Sequence, residues 1–167
     1  MARLAVAVDA GRITLELEVP LADLTGFERA PGTEAERQAV AQVLGRLREL
    51  GSLVRPDVAA GCGKGTVELS APRWQVGPAG AAAVAQRAAA AGKGPARATA
   101  GAAPDGHADL EATVDFRCPG ASKAAFVDVA LFEALPRLQR IDVQAATPRG
   151  QMKQVLRRPQ GRIALAR

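Results

Sequence analysis

Ile13, Leu15, Leu17 and Val19 alternate with Thr14, Glu16 and Glu18, and just ahead of them Leu4, Val6 and Val8 keep the same two-residue step. A period of two places successive side chains on opposite faces of a strand, so each run has one apolar face for a core and one face for water. Asp9-Ala10-Gly11-Arg12 between them has the composition of a turn, and the pair predicts a β-hairpin. A third run repeats the pattern, with Leu110, Val114 and Phe116 alternating with Asp109, Glu111, Thr113 and Asp115. Shorter strands are expected at Leu53-Val54, Thr66 to Ser70, Leu138 to Ala145, Gln151 to Leu156 and Ile163 to Leu165, with a turn at Pro148-Arg149-Gly150.

One stretch has the helical period instead. Val40, Val43, Leu44, Leu47 and Leu50 form an apolar stripe ending at Gly51, while Thr33 stands at the cap and Glu36 where the partner of a capping box belongs. This helix is expected to pack on the sheet; its polar face mixes Glu34, Glu36 and Glu49 with arginines and has no aromatic anchor, which argues against a membrane-surface role. Between hairpin and helix, Leu21 to Pro31 reads as irregular. A second, short helix is expected over Ser122 to Leu135, containing Phe126, Val129, Leu131 and Phe132 and halted by Pro136.

From Gly77 to Gly106 the composition changes to Ala, Gly and Pro with a few basic residues and almost no large apolar side chain. Residues 77–106 therefore read as a flexible insertion. The part before it is too poor in large apolar residues to stand alone, so the 167 residues are expected to form a single domain, 1–167. The fold class is α+β: an antiparallel or mixed β-sheet with one long and one short helix packed on it.

Composition narrows the functions open to such a fold. Aromatic residues make up 3% of the chain, so aliphatic side chains must fill the core and platforms for stacking bases or sugars are scarce. The formal net charge of +5 would suit an anionic partner, but the positive residues are scattered and follow no nucleic-acid-binding motif. No nucleic-acid partner is expected. Catalysis by a nucleophile needs a base beside it, and the chain has one histidine, His107, to serve every such scheme. Ser52, Ser70 and Ser122 lie in no strand–turn–helix elbow, and the carboxylates of 109–115 share one wet strand face. The chain does not read as an enzyme. Gly61-Cys62-Gly63-Lys64-Gly65 resembles a phosphate loop only in composition, because Lys64 is followed by glycine and then a strand rather than by a helix.

Metal binding is better posed. His107, Asp109 and Glu111 are two apart and would project from one face of a strand, offering one nitrogen and two carboxylates to zinc. Steps of ~7 Å bring all three to one ion only if the chain bends at Gly106-His107. Cys62 and Cys118 each lie beside a strand-like run and read either as buried thiols or as a disulfide, which would point to an oxidising compartment. No apolar run approaches a membrane span and no export signal precedes the first strand, which begins almost at Met1. No membrane insertion is expected.

Several separated blocks, taken in order, resemble one family. Leu15-Glu16-Leu17-Glu18-Val19-Pro20 leads to Gly26-Phe27-Glu28-Arg29-Ala30-Pro31; His107-Ala108-Asp109 leads to Phe116-Arg117-Cys118; Leu131-Phe132-Glu133-Ala134-Leu135-Pro136-Arg137-Leu138 leads to Ile141-Asp142-Val143-Gln144 and Pro148-Arg149-Gly150-Gln151. From about residue 4 to residue 157 this order resembles the ZrgA family of proteobacterial periplasmic proteins associated with zinc uptake. The resemblance implies a periplasmic zinc-binding accessory protein, a zinc importer of the periplasm or inner membrane as its partner, and a disulfide between Cys62 and Cys118. It also makes His107, with Asp109 and Glu111, the metal ligands to carry over. Family members typically have a His-x-His-Gly element before the first strand and a histidine-rich insertion before the His-x-Asp motif. Here neither is present, and 77–106 holds no histidine. The expectations are therefore an N-terminal truncation that removed the signal sequence, and weakened metal binding. The alternative is a structural or protein-interaction domain that keeps the fold without the metal.

Overall fold

A computed structural model describes residues 1–74 and 109–165, and the insertion expected at 77–106 lies outside the described residues. Strands β1 (Ala2–Asp9) and β2 (Arg12–Pro20) form the expected hairpin, with Gly11 at φ +76 in the turn and Asp9 opposite Arg12. Next come α1 (Leu21–Thr25), α2 (Glu34–Arg48), α3 (Leu50–Leu53), β3 (Val54–Pro56) and β4 (Thr66–Ser70). After the break follow β5 (Asp109–Arg117), β6 (Phe126–Val129), α4 (Leu131–Ala134), β7 (Arg140–Thr147), β8 (Gly150–Arg157) and β9 (Arg162–Ala164).

Six strands form one sheet in the order β4-β5-β2-β1-β7-β8, and three form a second in the order β3-β6-β9. β1 and β7 run parallel while every other pairing is antiparallel, so the large sheet is mixed and the fold is α+β. The alternation in the sequence decides which face goes inward. Leu4, Val6, Ile13, Leu15, Leu17, Leu110, Val114, Phe116, Ile141 and Val143 are all buried. Leu50, Val54 and Leu131 meet Leu4, Leu15, Leu17, Ala112 and Val114 around one small internal void, which places α3, the start of β3 and α4 against that inner face. Among the described residues, the polar halves of the same runs form the outer face and are exposed or half-buried.

α2 is the long helix the apolar stripe predicts, burying Val40, Val43, Leu44 and Leu47. Its capping box is formed in full: the Thr33 hydroxyl accepts from the Glu36 N–H at 3.1 Å, and the Glu36 carboxylate accepts from the Thr33 N–H at 3.2 Å.

Two expectations are corrected. The stretch Ser122 to Leu135 is a 3-10 turn at Ala121–Lys123, strand β6 and the single helical turn α4, rather than one helix. Phe126-Val127-Asp128-Val129 has its two β-branched residues buried at a step of two, and it fills the middle of the small sheet between β3 and β9. Leu21 to Thr25 is helical instead of irregular, because Leu21 and Leu24 turn inward together. Gly26 ends that helix at φ +92 and donates to the Ala22 carbonyl at 2.8 Å, a left-handed cap suited to glycine.

Candidate metal centre on the open sheet face

The outer face of the six-stranded sheet is built from the polar half of each alternating run. Its register sets rows of side chains across the strands. In the first row Ser70 on β4 faces Glu111 on β5, Glu111 faces Glu18 on β2, Glu18 faces Arg3 on β1, and Arg3 faces Asp142 on β7. In the next row Glu68, Thr113, Glu16, Ala5, Gln144 and Lys153 follow one another. The small side chains Ala5, Ala7 and Ala146 leave two adjoining hollows, of about 600 and 660 Å³, that share Ala5, Glu16 and Gln144. Glu18 and Glu111 line the first of them.

Some carboxylates on this face are engaged. Asp115 accepts from the Thr14 hydroxyl at 2.7 Å and from Arg12 Nε at 3.1 Å. Asp142 accepts from Arg140 Nε at 2.9 Å. Glu16, Glu18, Glu68 and Glu111 make no ion pair among the described residues. Among the described residues, the acidic end of the face thus carries negative charge with no matching cation within salt-bridge distance. Carboxylate oxygens of this kind can ligate a divalent cation, but selectivity for zinc over harder cations calls for nitrogen or sulfur donors as well.

Of the three ligands expected from the sequence, Asp109 and Glu111 lie on the outward side of β5. Asp109 stands opposite Pro20, where β2 gives way to α1, and Glu111 stands one step further along the same face. His107 lies outside the described residues. β5 pairs with β2 without interruption from Asp109 to Arg117, so the strand itself does not fold Asp109 toward Glu111. Across the strands, Glu111 has an acidic neighbour that sequence reasoning missed, Glu18. Alternation did place Glu18 on the wet face; what it left open was the long-range pairing of β2 with β5 that puts the two glutamates side by side. Among the described residues no group of three or more His, Cys, Asp and Glu side chains is arranged to hold a metal ion.

Behind the far end of β5, Cys62 and Cys118 are joined in a disulfide, as the resemblance implies. The glycine-rich loop that carries Cys62 is shaped by packing. The Gly63 N–H donates to the Arg117 carbonyl at 2.9 Å, and a Cβ on Gly65 would lie 2.7 Å from the Phe116 ring. Strand β4 follows the loop directly, so these glycines serve a close approach to β5 rather than a phosphate at a helix end.

No helix among the described residues is long and apolar enough to cross a membrane. No curated protein matches the chain. A family model described as ZrgA family zinc uptake protein matches residues 1–165. With that match running over essentially the whole chain, this protein belongs to the ZrgA family of zinc uptake proteins.

Proposed function

We propose that this chain is a periplasmic zinc-binding accessory protein that works beside a zinc importer, holding the ion on the outer sheet face near the start of β5. The full-length match to a zinc uptake family carries this reading. The acidic row in which Glu111 meets Glu18 supports its location, and the Cys62–Cys118 disulfide supports an oxidising compartment. In this reading His107 supplies the one imidazole, Asp109 and Glu111 supply oxygen, and Glu18 completes the set from the neighbouring strand. One nitrogen among carboxylates makes a weaker and less selective zinc site than a histidine cluster, which suits capture and release better than storage. The protein acts by binding, without catalysing a reaction.

Calorimetric titration of the protein with zinc tests this. Binding is expected, with affinity falling about tenfold or more in His107→Ala, the scale of losing one ligand interaction. No heat in either form would remove the metal role. The second reading, a protein-interaction domain without metal, is favoured by the chain's having one histidine in 167 residues. It predicts an importer subunit bound with equal affinity in zinc and in chelator.

A further inference from the structure

On the opposite side of β5 from the acidic row, a cleft of about 550 Å³ opens between the end of α2, β3 and the loop that carries Cys62. Three cations from three different elements line it: Arg48, the last residue of α2, Arg55 on β3, and Lys64 in the glycine-rich loop. None of the three makes an ion pair among the described residues. Two acidic residues share the cleft, Glu49 and Asp57; the Asp57 carboxylate accepts from the Ala59 and Ala125 N–H groups at 3.0 Å each, which holds it ionised, and Arg55 stands opposite Asp128 on β6. Three cations against two carboxylates leave the lining with a modest positive excess.

The rim of the same cleft holds Val58, which is 93% exposed, more than any other large hydrophobic side chain described. Its exposure is imposed by a firmly held turn. Asp57 caps the 3-10 turn Val58–Ala60, Gly61 closes it at φ +64, and the Gly120 N–H holds the Ala60 carbonyl at 2.9 Å. A Cβ on Gly120 would lie 2.8 Å from the Ala59 carbonyl oxygen, and the disulfide ties the next residue, Cys62, to Cys118. A rigid turn that presents an aliphatic side chain to water beside unpaired cations has the make-up of a docking surface, with an apolar contact inside a charged rim.

We propose that this cleft docks an acidic, extended segment of a partner protein, its carboxylates on Arg48, Arg55 and Lys64 and an aliphatic residue against Val58. A free phosphate would leave Val58 uncovered, and a single-stranded nucleic acid would call for aromatic stacking groups that the cleft, with the buried Phe116 as its one aromatic, does not present.

The test uses fluorescence anisotropy with a labelled peptide of sequence Glu-Glu-Leu-Glu-Glu-Leu-Glu-Glu and its all-glutamine counterpart. The acidic peptide is expected to bind and the glutamine peptide to bind at least about tenfold more weakly, as loss of several charge contacts implies. Combined Arg48→Ala, Arg55→Ala and Lys64→Ala should abolish that preference. A control losing the same net charge elsewhere, Lys123→Ala with Arg149→Ala and Lys153→Ala, should keep it. Val58→Ser should weaken the acidic peptide severalfold and leave competition by inorganic phosphate unchanged. Circular dichroism melts confirm that all variants are folded. Equal losses in the cleft triple variant and in the control would overturn the proposal, as would tighter binding of a DNA oligonucleotide than of the peptide at the same salt.

Discussion

Glu111 on β5 lies directly opposite Glu18 on β2, two carboxylates in register on the solvent face of a sheet, with Ser70 and Arg3 as their outer neighbours. Like charges opposed across strands are unfavourable by roughly 0.2–1 kcal/mol. Neutralising one of them, by Glu111→Gln, is therefore expected to raise the thermal midpoint of the metal-free protein slightly. If a cation bridges this row, the same substitution must reduce the stabilisation that zinc confers on the folded state. The two effects have opposite signs, and thermal melts in chelator and in excess zinc read both. A Glu111→Gln protein that is stabilised by zinc as much as the wild type would remove Glu111 from the site.

The elements with the strongest period are legible in the sequence alone, because Ile13 to Val19, Leu110 to Phe116 and Val40 to Leu50 each carry a local pattern that the core then uses. Phe126 to Val129 is not, since a run as short as Phe126, Val127 and Val129 fits a helix stripe as well as a strand; β3 and β9, far away in sequence, decide the matter. The same limit applies at the candidate site. The outward side of Asp109 and Glu111 follows from alternation alone, whereas the partnership of Glu111 with Glu18 depends on which strands pair and in what register.

Gly65 illustrates a residue whose role is steric. Its added Cβ would sit 2.7 Å from the Phe116 ring and 3.2 Å from a Val114 methyl, and both of those side chains are buried in the core. Gly65→Ala is expected to destabilise the protein by about 1–3 kcal/mol, the usual cost of overpacking. Gly45→Ala is the control, because a Cβ there meets nothing within 4 Å; in the middle of α2 it should be neutral or stabilising. Urea unfolding of the two variants measures the contrast, and an unperturbed Gly65→Ala protein would show that the loop is free to move away from β5.

The start of α2 has a pH signature. Arg29 donates to both oxygens of Glu36 at 2.8 and 2.5 Å, and the Gly32 N–H adds a bond at 2.7 Å. The Arg29 contact first, and then that from Gly32, hold the Glu36 carboxyl at about 2, against an ordinary value of 4.5. A folded-state value below the unfolded one means that the contribution is complete above the unfolded value and is lost as pH falls through the folded one. The difference in thermal midpoint between wild type and Glu36→Gln should therefore be full near neutrality, shrink below about pH 4.5, and vanish only below about pH 2. A difference that stays constant over this range would contradict the assignment. Thr33→Ala, which removes the other half of the box, should cost about 1 kcal/mol and do so at every pH.

The Cys62–Cys118 bridge closes a loop across a sequence separation of 56, and that loop contains β4, the insertion and all of β5. In the chain-entropy description, a link over a loop of this length stabilises by about 4 kcal/mol through restriction of the unfolded chain. Combined Cys62→Ser and Cys118→Ser should lower stability in urea by that order. The large sheet should persist, because β5 is held independently by its pairings with β2 and β4. The Val58 turn should suffer more. It is anchored to the Gly120 end of the same bridge by the Gly120 to Ala60 hydrogen bond, so amide exchange at Ala59, Ala60 and Gly61 should accelerate beyond the change expected from global stability alone. Exchange that rises uniformly over the protein would instead mean that the bridge acts only on the unfolded state and leaves the turn as rigid as before.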